Sequence, residues 1–116
     1  MHEVSIMQDM LQLAEENLRK SGCTEIRRIK LRVGLLSGVV PEALSFAFDV
    51  LKSGTSAANA ILEIESSPSL FSCGECGRES WYESLRFECP ECHGGLILQQ
   101  GGTDLELTQM EVSSTD

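Results

Sequence analysis

The chain has few basic residues, few aromatic residues and no long apolar run. Lys and Arg number 9 against 18 Asp and Glu in 116 residues, and the formal net charge is −9. A nucleic-acid-binding surface normally needs a basic patch, so we expect no nucleic-acid partner. The absence of a run of about 18 apolar residues argues against a membrane span. Aromatics make up 5% of the chain, so the predicted core is aliphatic.

Export, lipidation and catalytic signals are also missing. The start MHEVSIMQDM has no basic segment followed by a short apolar stretch, and residue 2 is not Gly. We therefore expect a cytoplasmic protein. With two histidines, no phosphate loop and no nucleophile–base pairing, it is predicted not to be an enzyme. Five cysteines without an export signal favour metal or redox chemistry over disulfides.

Apolar spacing predicts two helices. Steps of three and four residues indicate a first helix over 5–21, with Ser5 and Gln8 as a capping box and Gly22 as its stop. A second helix is expected after Pro41, which suits a first helical turn. Its apolar residues cover a wide arc, so we expect it to be well buried; they are Ala43, Leu44, Phe46, Ala47, Phe48, Val50 and Leu51.

Three segments alternate as half-buried strands: 28–33, 60–66 and 103–112. The first has basic outer positions and the other two have acidic ones, so cross-strand charge pairing favours placing the basic strand beside them. The predicted fold class is α+β, a small three-stranded sheet with two helices on one face and an inserted zinc-ribbon-like module. The predicted domains are 1–67 with 102–113, the module 68–101, and a disordered tail at 114–116.

Four cysteines lie inside the module in two C-x-x-C pairs with twelve residues between the pairs. Four thiolates at about 2.3 Å complete a tetrahedral zinc site with no vacant position. The predicted zinc ligands are Cys73, Cys76, Cys89 and Cys92. A segment of this size cannot build a core unaided, so metal binding is expected to supply much of its folding free energy. Iron is the alternative metal.

Three further side chains, His93, Cys23 and Trp81, are candidates for a function. His93 directly follows the last cysteine and could replace a thiolate, but four cysteines already complete the site. Cys23 is unpaired and is interpreted as a small buried or half-buried residue. Trp81 is interpreted as packing for the module rather than a base-stacking platform, because acidic residues surround it.

The amino end offers a second candidate metal site. Histidine is not a small residue, so we expect Met1 to be retained. The Met1 amine and the His2 backbone and imidazole nitrogens can then chelate one ion, and Glu3 can add an oxygen or steady the histidine. Such nitrogen-rich donors suit Ni(II) or Cu(II) better than zinc. Binding is expected to weaken as pH falls towards about 6.5, where imidazole gains a proton. A solvated histidine without a metal is the alternative.

The sequence resembles the HypA/HybF family of hydrogenase nickel-incorporation proteins. The resemblance rests on MHEVS, LRVGLLSGVVPEALSFAFDVL, LEIESSP, the C-x-x-C with CPECHG, and LELTQMEV. It departs in the segment GLLSGV, where many members read GELSGV. The resemblance implies a nickel metallochaperone for [NiFe]-hydrogenase maturation, with His2 as nickel ligand, Glu3 in support and structural zinc on the paired cysteines. It also implies the nickel-binding GTPase HypB and the hydrogenase large subunit as partners.

Two other functions remain open from the residues. One is a zinc-ribbon protein–protein adaptor without mobile metal, and the other is a thiol redox protein using C-x-x-C chemistry. Nickel uptake that depends on His2 would separate the carrier from the adaptor. Cysteines that cycle between reduced and oxidised states without releasing zinc would favour the redox protein.

Overall fold

The structure, a computed structural model, describes residues 2–83 and 86–114, without the side chain of His2. The predicted nickel donors Met1 and the His2 imidazole lie outside this description. The described residues form two helices and six strands, in chain order α1 (His2–Ser21), β1 (Glu25–Gly34), α2 (Pro41–Leu51), β2 (Ile61–Ser67), β3 (Ser69–Cys73), β4 (Glu79–Tyr82), β5 (Leu96–Gly101) and β6 (Leu105–Ser113). The described residues contain no helix with both the length and the apolar character needed to cross a bilayer.

Helix α1 begins earlier than the sequence pattern predicted. It starts at His2, so the start at residue 5 is wrong and Ser5 lies within the helix instead of capping it. Glu3 is in the first turn, where the helix dipole stabilises a carboxylate. This polar residue therefore favours a helix that starts before the first residues of the apolar pattern. The predicted end is confirmed: α1 ends at Ser21, and Gly22 follows with a φ of 77°.

The first sheet has the order β2-β1-β6, so the basic strand lies between the two acidic ones as predicted. Arg28 pairs with Glu63 and Glu111, and Arg32 pairs with Glu65 and Glu106. The alternate side chains of β1 enter the core, where Ile29, Leu31 and Val33 are buried. Opposite charges on the outer positions therefore agree with burial on the inner ones in fixing the register.

Helix α2 is only partly buried, and the expectation of a well-buried helix is wrong. Leu44, Ala47 and Phe48 are buried, but Phe46 is 70% exposed and Val50 is 60% exposed. A helix resting on one layer buries a single stripe, and the wider apolar arc of α2 extends past that stripe.

The cysteines lie with a second sheet, of order β4-β3-β5. Central β3 buries Ser69, Phe71 and Cys73 on one face, and the ring of Phe71 lies 6.0 Å from that of Tyr82. The α+β class with a separate four-cysteine module is thus confirmed.

Over the described residues the chain forms two compact units. The helical unit comprises 2–32, 39–65 and 106–114, and the cysteine unit comprises 33–38 and 66–105. The sequence did not predict that 33–38 belongs with the cysteines. The functional domain limits of 1–67 with 102–113, 68–101 and 114–116 stay a prediction.

Residues 33–38 join the cysteine unit through a close backbone approach. The Gly34 amide donates to the Asp104 carbonyl at 2.6 Å, and the Leu36 amide donates to the Gly102 carbonyl at 2.5 Å. A Cβ atom at Gly34 would overlap the Gly102 carbonyl. Glycine at position 34 is therefore required for this pairing.

Candidate metal centre

The two C-x-x-C pairs form two turns with the same hydrogen-bond pattern. In the first turn, the Cys73 amide donates to the Arg78 carbonyl at 2.9 Å. The Cys73 carbonyl accepts from the Gly77 amide at 3.1 Å. In the second turn, the Cys89 amide donates to the Gly94 carbonyl at 2.8 Å, and the Cys89 carbonyl accepts from the His93 amide at 2.9 Å. Each C-x-x-C pair is thus closed by the residue after its second cysteine.

The four turn cysteines bring their sulfurs together. All four Sγ atoms lie within 4.8 Å of one another; the cysteines are Cys73, Cys76, Cys89 and Cys92. Two Sγ–Sγ distances are 3.4 Å, from Cys73 to Cys92, and 3.8 Å, from Cys76 to Cys89. Sulfurs bound at about 2.3 Å to a tetrahedral zinc lie about 3.8 Å apart, so the arrangement fits a closed four-thiolate site.

Backbone amides prepare the first turn for a thiolate. The amides of Cys76 and Glu75 each lie 3.4 Å from Cys73 Sγ, and these donors lower the pKa of Cys73 to about 6. The Gly94 amide acts on Cys92 in the same direction, but neighbouring thiols, first Cys73, and desolvation raise the pKa of Cys92 to about 12. Four thiolates so close together repel one another, so their joint ionisation requires a bound cation.

His93 lies beside the cluster without joining it. Its Nδ1 is 2.5 Å from Glu88 Oε1, its side chain is 75% exposed, and the described metal-ligating group consists of the cysteines. Its φ is 64°, in the left-handed region that Gly77 occupies in the first turn with a φ of 76°. The histidine thus fills a position where glycine is the favoured residue. Comparing C-x-x-C-G with C-x-x-C-H in the sequence would have revealed this.

Cys23 is separate from the four-cysteine group. It is half-buried, follows α1, and its amide donates to Ser21 Oγ at 3.2 Å. The interpretation of Cys23 as a small buried or half-buried residue agrees with this position. A metal role for it has no support in the described geometry.

At the amino end, the structure shows a contact for Glu3. Its Oε2 accepts a hydrogen bond from the backbone amide of Val40 at 3.3 Å. Val40 is the N-cap residue of α2, and its side chain has no hydrogen-bonding group. The carboxylate of Glu3 therefore connects the first turn of α1 to the start of α2, a contact that the sequence spacing of 37 residues did not predict.

Comparisons with known proteins agree on one family. The sequence model of the HypA family, described as hydrogenase/urease nickel incorporation, metallochaperone, matches residues 1–112. The hydrogenase maturation factor HypA of Rhodobacter capsulatus is 38% identical over 112 residues, covering 97% of this chain and 99% of its own length. HypA of Picosynechococcus sp. is 39% identical over 112 residues, with the same coverage of 97% and 99%.

Solved structures of similar proteins share the fold. A solution structure of the Ni metallochaperone HypA from Helicobacter pylori has a TM-score of 0.66 at 23% identity, covering 97% of this chain and 98% of that one. A further solution structure of a HypA protein has a TM-score of 0.66 at 24% identity, covering 99% and 98%. The likeness extends through both units.

Proposed function

The chain belongs to the HypA family of hydrogenase maturation metallochaperones, and on this premise we propose that it carries Ni(II) at its amino end. The proposed donors are the Met1 amine, the His2 backbone nitrogen and the His2 imidazole. The observation that supports this site most is the hydrogen bond from the Val40 amide to Glu3, which anchors the first turn of α1. An anchored first turn limits the directions in which the neighbouring donors can point.

The start of a helix is chemically suited to this role. The first four amides of an α-helix have no acceptor within the helix, so a metal can replace the proton on the His2 amide without breaking a helical hydrogen bond. Helix α1 begins at His2. Glu3 is proposed as a positioning residue, because its carboxylate already accepts a hydrogen bond from the amide of Val40, the N-cap residue of α2.

The cysteine cluster is proposed to hold structural zinc, not the transferred metal. Its sulfurs make a closed donor set, with Cys73 and Cys89 buried. A closed tetrahedral site leaves no position for an incoming ligand, which suits a permanent ion. A chain end is the opposite case, because a partner can exchange its ligands without unfolding the protein.

We propose that nickel passes to the [NiFe]-hydrogenase large subunit in cooperation with the nickel-binding GTPase HypB, in the cytoplasm. The protein acts as a carrier and not as an enzyme. Its net charge of −9 favours partners with basic surfaces.

The two histidines of the chain provide a matched test. Zinc-loaded wild type is titrated with Ni(II) by calorimetry, and about one nickel per chain is expected. His2→Ala should abolish this uptake, and acetylation of the Met1 amine should weaken it. His93→Ala is the control and should bind nickel as wild type does.

Two outcomes would overturn the proposal. Equal nickel uptake by wild type and His2→Ala would favour the adaptor without mobile metal. Loss of uptake in His93→Ala, with His2→Ala unaffected, would move the nickel site to the cysteine unit.

A further inference from the structure

A groove runs along the helical unit between the start of α1 and the exposed side of α2. It encloses about 160 Å³, and apolar groups make up most of its wall. Glu3 and Val4 line it from α1, and Ala43, Phe46 and Val50 are among the residues that line it from α2. It thus begins one residue beyond the proposed nickel donors.

Two large side chains on this groove face solvent. Phe46 is 70% exposed and Val50, four residues later on the same helix, is 60% exposed. Single exposed apolar residues are common, but contiguous ones beside a cavity are typical of an interaction surface. Residues four apart on a helix form one ridge, which fits between the side chains of another helix.

Acidic residues border this apolar ridge on both sides. Glu42 precedes Phe46 by four residues and Asp49 follows it by three, and both are exposed. Glu3 lies on the α1 side. The last turn of α2 has no basic residue. The nearby Lys52 ammonium is 3.5 Å from Asp49 and lies over the Phe48 ring.

From this pattern we propose that the groove docks a basic amphipathic helix of a partner protein. Such a helix would place its apolar stripe on Phe46 and Val50, and its Lys or Arg side chains on the acidic borders. The 11 residues of α2 extend about 16 Å, which matches about three turns of a docked helix. A second copy of this chain fits poorly, because a two-fold contact would place Glu42 and Asp49 near their own copies.

The inference rests on the proposed function in one respect: it makes the groove the place where the nickel acceptor is held. A helix bound there contacts the first turn of α1, so the partner's own metal ligands would come near the amino end. Recognition of the partner and release of nickel would then use adjacent surfaces of the helical unit.

Two designed peptides test the surface on the full, zinc-loaded chain without nickel. Both carry the same leucine stripe at positions i, i+3, i+4 and i+7; one has lysines beside the stripe and the other has glutamates. Binding is measured by anisotropy of the labelled peptides, and the contact region is located by amide chemical shifts. The protein variants are Phe46→Ser and, as control, Ile61→Ser, which removes a side chain that is 56% exposed on β2.

The lysine peptide is expected to bind wild type at least about tenfold more tightly than the glutamate peptide. Phe46→Ser should lower its affinity about tenfold or more, Ile61→Ser should leave it unchanged, and the shifts should concentrate in 40–51. Equal losses in the two variants, or shifts confined to the acidic cysteine unit, would overturn the proposal. A wild-type dimer that Phe46→Ser makes monomeric would assign the groove to a second copy and would also overturn it.

The nickel titration separates this inference from the proposed function. Phe46→Ser should still take up nickel, and His2→Ala should still bind the lysine peptide. If the lysine peptide does not bind while nickel uptake is intact, the docking surface alone is refuted. If His2→Ala and His93→Ala both still take up nickel, and the lysine peptide binds as expected, the carrier site alone is refuted.

Discussion

The helical unit buries aliphatic side chains from both helices and from β1, whereas the cysteine unit buries few apolar groups. Met7, Leu11, Ile26, Leu31 and Phe48 are each at most 6% exposed in the helical unit. Among the described residues of the cysteine unit, the buried apolar ones beyond Val33 are Phe71, Cys73 and Cys89, and the last two are among the four proposed zinc ligands. Hydrophobic burial thus stabilises one unit, and metal ligation is expected to stabilise the other.

The exposed aromatic residues reinforce this contrast. In the cysteine unit Trp81 is 53% exposed and Phe87 is 77% exposed, although a unit with a larger core would cover such rings. The single tryptophan of the chain therefore reports on the cysteine unit, and helical ellipticity at 222 nm reports on α1 and α2. These two signals can follow the two units separately.

Loss of a buried cysteine should have the largest effect. Cys89→Ser removes one thiolate from the closed set, and ligation of structural zinc contributes on the order of 10 kcal/mol to folding. We expect loss of zinc and unfolding of the Trp81 environment, with helical ellipticity retained. Zinc content and tryptophan fluorescence measure this, and Cys23→Ser is the control outside the cluster. Retention of one zinc per chain at unchanged affinity would contradict the prediction.

A core truncation in the helical unit should show the reverse pattern. Leu31 is 0% exposed, and Leu31→Ala is expected to lower the free energy of unfolding by about 2–5 kcal/mol through lost contacts and a cavity. Urea unfolding followed at 222 nm measures the change. Ile61→Ala, at a residue that is 56% exposed, should cost less than about 1 kcal/mol. Comparable losses in the two variants would show that β1 does not hold the core.

The backbone approach at Gly34 gives the third prediction. A methyl group there would overlap the Gly102 carbonyl and the Asp104 amide, so Gly34→Ala should destabilise the cysteine unit by more than about 2 kcal/mol. Gly74→Ala is the matched control, since the nearest atom to its methyl would be Ile97 Cδ1 at 3.6 Å. Denaturation followed by Trp81 fluorescence should separate them, and equal midpoints would refute the close approach.

The smallest effect is expected where the two C-x-x-C turns differ. His93→Gly relieves a left-handed conformation and should stabilise the zinc-loaded unit by about 1 kcal/mol, because the lost ion pair with Glu88 is exposed and weak. Gly77→Ala should destabilise by a similar amount, since it adds a side chain at a φ of 76°. The urea midpoint of Trp81 fluorescence measures both. A destabilised His93→Gly would show that the histidine contact outweighs the strain.

Local patterns predicted many elements correctly. The three-four spacing before Gly22 identified α1, and alternation with opposite charges placed the basic strand between two acidic ones. The pattern failed at the start of α1, because a polar first turn lacks the apolar periodicity that marks a helix. It failed also at Phe46, because periodicity counts apolar residues without showing which of them another layer covers.

The metal sites divide in the same way. The spacing of the cysteine pairs predicts the four-sulfur group, and the group is confirmed. No spacing predicted that Glu3 would accept a hydrogen bond from Val40, or that residues 33–38 would belong with the cysteines. The nickel ligands Met1 and His2 stay a prediction.

The sequence by itself determined the periodic elements, the four-cysteine group and the family, because each depends on residue types at short, fixed separations. Only the tertiary structure decided which apolar face of α2 stays exposed, how Glu3 reaches the start of α2, and why position 34 must be glycine. These depend on which distant segments come within a few ångströms of one another, and that is set by the packing of the whole chain.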